Sequence, residues 1–164
     1  MSCGSEVSTR SLLESGGCQQ FLANEQIARA FLREAQSDLN SARALIAAGE
    51  YARCIAHSQH TVEKALKAVL AARGTIIAGR HQVSFDFSSS CADVPDAARI
   101  TQIASRLENL GSRSEYPLFG DPNRPIWIPS ERLGQADAQQ ALDEATYVFG
   151  GLSQYLDTQH GIRL

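Results

Sequence analysis

Apolar side chains recur at intervals of three and four residues from Asn24 onward, which is the spacing of one face of an α-helix. The first run ends near Gly49, and a second run starts after only two residues and ends at Gly74. Asparagine and glycine commonly flank helices at these two ends. Because the link is so short, the two helices are expected to be antiparallel neighbours.

Two further helices are predicted in the second half of the chain. Asp93 followed by Pro95 is typical of a helix start, and this third helix is expected to end at Gly111. The fourth is predicted over residues 134–157, where alanine, leucine and aromatic side chains recur with the same period. With no alternating strand pattern, the predicted fold is all-α, an antiparallel up-down four-helix bundle.

The remaining segments lack this periodicity. Residues 74–94 and 112–133 are predicted to be two long loops, the second interrupted by four prolines. Loops of about twenty residues are more often functional than accidental in a compact domain. Residues 1–23, rich in serine and glycine, are expected to form a flexible tail, which leaves residues 24–164 as one helical domain.

No stretch approaches the roughly 20 apolar residues of a membrane span, and no signal peptide is recognisable. The chain is therefore expected to be cytoplasmic and without membrane contact. The four cysteines are scattered, with no CxxC pair, and are expected to be reduced thiols rather than zinc ligands. They are Cys3, Cys18, Cys54 and Cys91.

Charge changes the picture by excluding one class of partner. The chain has 15 basic and 18 acidic residues, and a net charge of −3 argues against a dedicated duplex-DNA binder. The basic residues are concentrated in residues 24–81, and 13 of the 15 are arginine. Since a guanidinium matches phosphate geometry well, this composition hints at an anionic ligand.

The densest polar cluster lies on the second predicted helix. His57, His60 and either Glu63 or Lys64 share one face, and such a set is one way to bind a metal ion. The alternative is a polar stripe in which Glu63 and Lys67 form an ion pair one turn apart. No second ligand set is evident on the other helices, so neither a metal ion nor a cofactor is expected.

A second candidate lies where the third helix ends. Arg113 beside Tyr116 can bind a phosphate and stack on or hydrogen-bond to its base. The residues alone favour a plainer interpretation, in which the arginine interacts with the helix dipole and the tyrosine packs on the loop. His81 lies in the first loop, and Trp127 either anchors the second loop or offers a stacking surface.

Two runs of the sequence resemble the HEPN domain, named for higher eukaryotes and prokaryotes nucleotide-binding. They are FLxEAxxDLxxA at residues 31–42 and SQHxxEKALKA at residues 58–68. His81 stands where the family often has a histidine, and Arg113 with Tyr116 resembles the family's Arg/Tyr signature. The resemblance spans residues 27–157.

The resemblance implies an all-α bundle, commonly a homodimer, often encoded beside a minimal nucleotidyltransferase in toxin–antitoxin-like pairs. Many members are metal-independent ribonucleases that use an arginine and a histidine separated by four to six residues. This chain departs from that pattern, because Leu-Phe-Gly occupies positions 118–120 after Arg113, and only three residues separate Arg53 from His57. Whether the chain is an enzyme therefore stays open.

Three functional hypotheses follow. The first is a dimeric binding module for a nucleotide, RNA or a nucleotidyltransferase partner, with its site among Arg113, Tyr116, Lys64, Lys67, His81 and Glu63. The second is a ribonuclease whose unorthodox site combines Arg113 or Arg53 with His57, His60 or His81. The third is an interaction domain whose acidic last helix meets a basic partner.

Overall fold

A computed structural model describes residues 10–120 and 122–164 of the chain, with side chains from Ala23 onward. Within these residues there are six helices and no strand, which confirms the predicted all-α class. One isolated antiparallel bridge pairs Leu118 with Trp127. The helices are α1 (Arg10–Ala47), α2 (Tyr51–Ala72), α3 (Ser84–Ser90), α4 (Ala97–Glu115), α5 (Pro129–Arg132) and α6 (Gln135–His160).

Helix α2 is the centre of the molecule, since it contacts each of the other five helices of the described chain. From Thr61 to Ala71 every side chain except Lys64 is buried. The sequence pattern predicted one buried face for this helix, whereas burial extends almost all the way round it. A helix in such a position must provide even its charged side chains with partners, either within the helix or from neighbouring helices.

Helices α1 and α2 form an antiparallel hairpin. Gly49 has a φ of 78°, in the left-handed region that glycine adopts without strain, and the Glu50 amide donates to the carbonyl of Leu45 over 2.9 Å. Contacts across the hairpin grow more distant in sequence away from the turn, from Asp38 with His57 to Phe31 with Lys67. The predicted neighbour relation of these helices is therefore confirmed.

Helix α1 starts earlier than predicted. It begins at Arg10, fourteen residues before the expected start at Asn24. Residues 1–9 of the predicted tail lie outside the described residues, and the flexibility of residues 1–23 stays a prediction.

The first predicted loop, residues 74–94, contains α3, and the prediction of a helix-free segment there was wrong. A carboxylate from α4 explains this short helix. Glu108 Oε1 accepts hydrogen bonds from the amides of Val83 and Ser84 at 2.7 and 2.8 Å, and Phe87 is fully buried beneath the helix. The amides at a helix start need an acceptor, and here it comes from a residue 24 positions away, which local sequence does not reveal.

The predicted end of the third helix at Gly111 was also wrong, because α4 continues to Glu115. Gly111 is buried against α2, and a Cβ at this position would lie 2.7 Å from Cγ of Gln59. This glycine permits close helix packing instead of ending the helix.

The second predicted loop, residues 112–133, begins inside α4 and contains α5, so it is shorter than predicted. Leu118 and Trp127 exchange two backbone hydrogen bonds of 3.0 Å. The Trp127 indole N–H donates to the carbonyl of Arg113 over 3.0 Å. Trp127 therefore anchors the loop to α4, as one of its two interpretations predicted. Among the described helices, none is both long and apolar enough to cross a membrane.

Gly111→Ala should destabilise the protein by about 1–3 kcal/mol, because the added methyl group collides with a buried side chain. The matched control is Gly150→Ala within α6, where nothing lies within 4 Å of a new Cβ. There the higher helix propensity of alanine should stabilise the protein by about 0.5–1 kcal/mol. Urea unfolding measures both, and equal effects of the two substitutions would contradict the close approach at Gly111.

Candidate functional site

A polar cluster joins α1 to α2 at Asp38. Its Oδ2 accepts a hydrogen bond from Lys64 Nζ over 2.5 Å, and its Oδ1 accepts one from Nδ1 of His57 over 2.9 Å. The Asp38 side chain is 11% exposed, so both contacts replace water around a mostly buried carboxylate. Glu34 lies 3.9 Å from Lys64 and adds a second negative charge.

A second cluster centres on Glu63, whose two oxygens have three partners. Oε1 accepts from Lys67 Nζ over 2.8 Å, and Oε2 accepts from Gln59 over 3.0 Å. Nδ1 of His81 lies 3.3 Å from the same Oε2. Glu63 and Lys67 are each only 6% exposed, which confirms the predicted ion pair and places it in the interior.

The third histidine of the region faces α4. Nε2 of His60 lies 3.1 Å from Oε1 of Glu115, in the last turn of that helix. The rings of His57 and His60 have their centroids 5.9 Å apart and meet edge to face. The two histidines thus face carboxylates from two different helices, Asp38 of α1 and Glu115 of α4.

The end of α4 carries a different kind of surface. The Arg113 guanidinium stacks on the indole of Trp127, with its carbon 4.5 Å from the ring centroid. Within the described residues no carboxylate pairs with Arg113. A groove of about 300 Å³ is lined by Arg113, Leu118, Phe119, Arg124, Pro125 and Trp127. We call this the loop groove.

The six predicted ligand-binding residues therefore occupy different surroundings. Glu63, Lys67 and His81 form one cluster, Lys64 pairs with Asp38, and Arg113 lies at the loop groove. Tyr116 follows α4 and is 67% exposed. Within the described chain no hydrogen bond, ion pair or ring contact joins Arg113 or Tyr116 to the other four.

The sequence analysis gave no site role to Asp38 or Glu115, although Asp38 contacts His57 and Glu115 contacts His60. A signal for Asp38 was present, since it follows the apolar Phe31 by seven residues and so lies on the same helix face. A carboxylate on a buried face requires a donor from a neighbouring element. Which donor it meets depends on the register of α1 against α2, which the sequence pattern leaves open.

Two cysteines can be placed. Cys54 and Cys91 are free and buried, and burial raises the pKa of both thiols. A thiol with a raised pKa is a weak nucleophile and a poor metal ligand near neutral pH. These two positions agree with the expected reduced thiols, whereas Cys3 and Cys18 lie outside the described side chains.

A cleft of about 650 Å³ lies between the start of α4 and α6 and was not predicted. The Tyr147 hydroxyl donates to Asp96 over 2.7 Å, and this hydrogen bond raises the tyrosine pKa. Arg73 donates to both oxygens of Asp93 and lowers the pKa of that carboxyl. Asp93 and Asp96, the two carboxylates of the cleft, therefore already have hydrogen-bond partners within the chain.

The acidic side chains of α6 also have partners within the chain. Salt bridges join Arg106 to Glu144 and Arg163 to Asp157, Asp137 accepts from the Gly134 amide, and Asp143 accepts from Gln139. Two of these four acids are thus neutralised by arginines, which weakens the hypothesis that α6 meets a basic partner.

Lys67→Met should destabilise the protein by about 3–5 kcal/mol, because it leaves the Glu63 carboxylate buried without its cation. The double variant Glu63→Leu/Lys67→Met removes both charges and should recover a large part of that loss. Chemical unfolding of the two variants measures the difference. A double variant less stable than the single one would show that the buried charge is not the cause.

Comparisons with known proteins agree with this architecture. The chain is 30% identical over 145 residues to a Methanocaldococcus jannaschii protein named "Putative toxin MJ1304", and the match covers 85% of this chain and 95% of that protein. The solved structure of TT1696 from Thermus thermophilus has a TM-score of 0.67 at 24% identity, covering 77% of this chain and 96% of that one. The structure of ST0689, described as an archaeal HEPN homologue, has a TM-score of 0.59 at 23% identity, covering 79% and 97%.

The two solved structures share the all-helical fold of this chain. The sequence profile of the HEPN domain matches residues 28–152, more than half of the chain. The resemblance noted from residues 27–157 is thereby confirmed. The chain belongs to the HEPN domain family.

Proposed function

We propose that the chain is the HEPN module of a toxin–antitoxin-like pair and binds a nucleotide or RNA at the loop groove. The observation that carries the proposal is Arg113, an exposed guanidinium stacked on an indole and without a carboxylate partner in the described chain. Such a guanidinium keeps its donors available for a phosphate.

Exposed aromatic rings beside Arg113 support the same ligand class. Phe119 is 85% exposed and lines the groove, and Tyr116 is 67% exposed close by in sequence. Stacking of a base on an aromatic ring tolerates any base and contributes about 1–3 kcal/mol. A cation with an exposed ring in the same groove therefore matches the two parts of a nucleotide, its phosphate and its base.

The lysines of α2 are less suited to this task. Lys64 is held by Asp38, and Lys67 is buried against Glu63. A phosphate approaching either lysine would have to displace a carboxylate. We therefore place the ligand contacts on Arg113 and Tyr116. Glu63 belongs instead to its buried pair with Lys67, which the exposed His81 contacts from the surface.

The partner side of the proposal rests on family membership and on the relative named as a toxin. We infer a homodimer that pairs with a minimal nucleotidyltransferase in the cytoplasm. Exposed apolar side chains on the loop, namely Leu118, Phe119 and Ile126, support a surface that another chain covers. We also infer that the four long helices run up and down in antiparallel order, as the α1–α2 hairpin does.

Binding at the loop groove should change the fluorescence of Trp127, the only tryptophan of the chain. Titration with ATP, GTP and a short single-stranded RNA tests this, with anisotropy of a labelled RNA as a second measurement. Arg113→Ala should weaken binding about tenfold or more, since a hydrogen bond to a charged group contributes about 1.5–3 kcal/mol.

Arg33→Ala is the matched control, because Arg33 is an exposed arginine on α1. It should leave the affinity unchanged. The proposal fails if none of the three ligands changes either signal, or if both arginine variants weaken binding equally.

A ribonuclease remains the second candidate, and one contact favours it. Asp38 holds the His57 imidazole, as a carboxylate orients the histidine of many hydrolases. Arg53 lies one helical turn earlier and is exposed. The three side chains combine an oriented imidazole with a cation that can bind a phosphate.

If this candidate is correct, the protein cleaves single-stranded RNA without added metal, and Arg53→Ala and His57→Asn each lower the rate about a hundredfold or more. Arg113→Ala should then affect RNA affinity more than the cleavage rate. Gel analysis of RNA incubated with each protein measures this. Intact RNA at high protein concentration would rule the ribonuclease out and leave the binding module unaffected.

A further inference from the structure

Three side chains with metal-binding atoms converge between α1 and α2. Asp38, His57 and His60 each offer one ligand atom, and these atoms all lie within 4.8 Å of one another. The sequence suggested a different set, in which Glu63 or Lys64 completed the two histidines on one helix. The structure assigns Glu63 to Lys67 and supplies the carboxylate from α1 instead.

We propose that Asp38, His57 and His60 form a binding site for a divalent transition-metal ion of the zinc class. Zinc bonds of about 2.0–2.1 Å place two ligand atoms of a tetrahedral site about 3.4 Å apart. Oδ1 of Asp38 and Nδ1 of His57 are already 2.9 Å apart. His60 is 32% exposed on its side chain and so has room to rotate through the short remaining distance.

The charge around the three ligands also favours a cation. Asp38 contacts His57 and Glu115 contacts His60, and Glu34 adds a third carboxylate 3.9 Å from Lys64. Lys64 binds Oδ2 of Asp38 and leaves Oδ1 directed at His57. An outer donor to the second oxygen of a ligating carboxylate fixes its orientation, which is a common feature of metal sites.

Glu115 adds a further element from α4. Its Oε1 lies 3.1 Å from Nε2 of His60, so it either orients that imidazole or supplies a fourth ligand. Two imidazoles with one or two carboxylates select zinc, cobalt, nickel or copper over magnesium and calcium, which prefer oxygen ligands alone. The bound ion would join α1 to α2 at a point near the end of α4.

The site is independent of the loop groove and of the ligand proposed there. Zinc binding therefore does not require that the protein act on RNA. A metal ion at this site would exclude the ribonuclease candidate, because a metal-bound His57 no longer accepts a proton.

The test is calorimetric titration of the full-length, chelator-treated and reduced protein with Zn²⁺, together with thermal unfolding with and without the ion. The wild type should bind one equivalent of Zn²⁺. His57→Asn and His60→Asn should each bind it about tenfold or more weakly, or not at all. The melting temperature should rise with Zn²⁺ only where that equivalent is bound.

His81→Asn is the matched control, since His81 also contacts a carboxylate but lies outside the three ligands. It should still bind one equivalent of Zn²⁺. The double variant Cys3→Ser/Cys18→Ser controls for zinc binding by these two thiols and should also still bind one equivalent. The proposal is overturned if the wild type binds no equivalent, if the His57 and His60 variants retain it, or if the cysteine variant loses it.

A second measurement requires no substitution. In the ¹⁵N-labelled wild type, one equivalent of Zn²⁺ should shift the imidazole nitrogen signals of His57 and His60 and leave those of His81 unchanged. Shifts confined to other histidines would refute the site even if a histidine variant failed to fold.

Discussion

Helix α2 lies in the interior, yet it carries two lysines, two histidines and a glutamate, and the rest of the structure depends on satisfying these side chains. Unpaired charge is costly away from water, so each of these groups needs a partner, either within α2 or from another helix. Helix α1 supplies Asp38 for Lys64 and His57, α4 supplies Glu115 for His60, and α2 itself pairs Glu63 with Lys67. Slippage of a neighbouring helix by one turn would leave one of these groups without its partner.

This constraint bears on function, because it separates cations that hold the fold from cations that face outward. Lys67 is part of the interior, whereas Arg113 rests on Trp127 at the edge of the protein. The chain is similar in sequence to a Methanocaldococcus jannaschii protein and in fold to a Thermus thermophilus protein.

Periodicity was enough to predict the helical class, the α1–α2 hairpin and the Glu63–Lys67 pair, since all three depend on spacing along one or two neighbouring helices. It failed at α3, whose first amides bind Glu108 of another helix, and at Gly111, where packing against Gln59 rather than chain termination explains the glycine. The polar cluster on α2 was predicted in part for the same reason, although no metal ion was expected there. Its histidines are visible on one helix face, but their carboxylates come from elsewhere in the chain.

The contact between Glu108 and the start of α3 has a consequence for how the protein opens. The first turn of α3 has its amide acceptor only while α4 is docked. Phe87, the buried side chain of α3, becomes exposed to water if α3 unwinds. Residues from Val83 to Glu108 are therefore expected to open as one cooperative unit, in which local unfolding of either helix exposes both. Amide hydrogens at Val83 and Ser84, although near a chain segment rich in glycine and serine, would exchange with solvent at the slow rate of the α4 core.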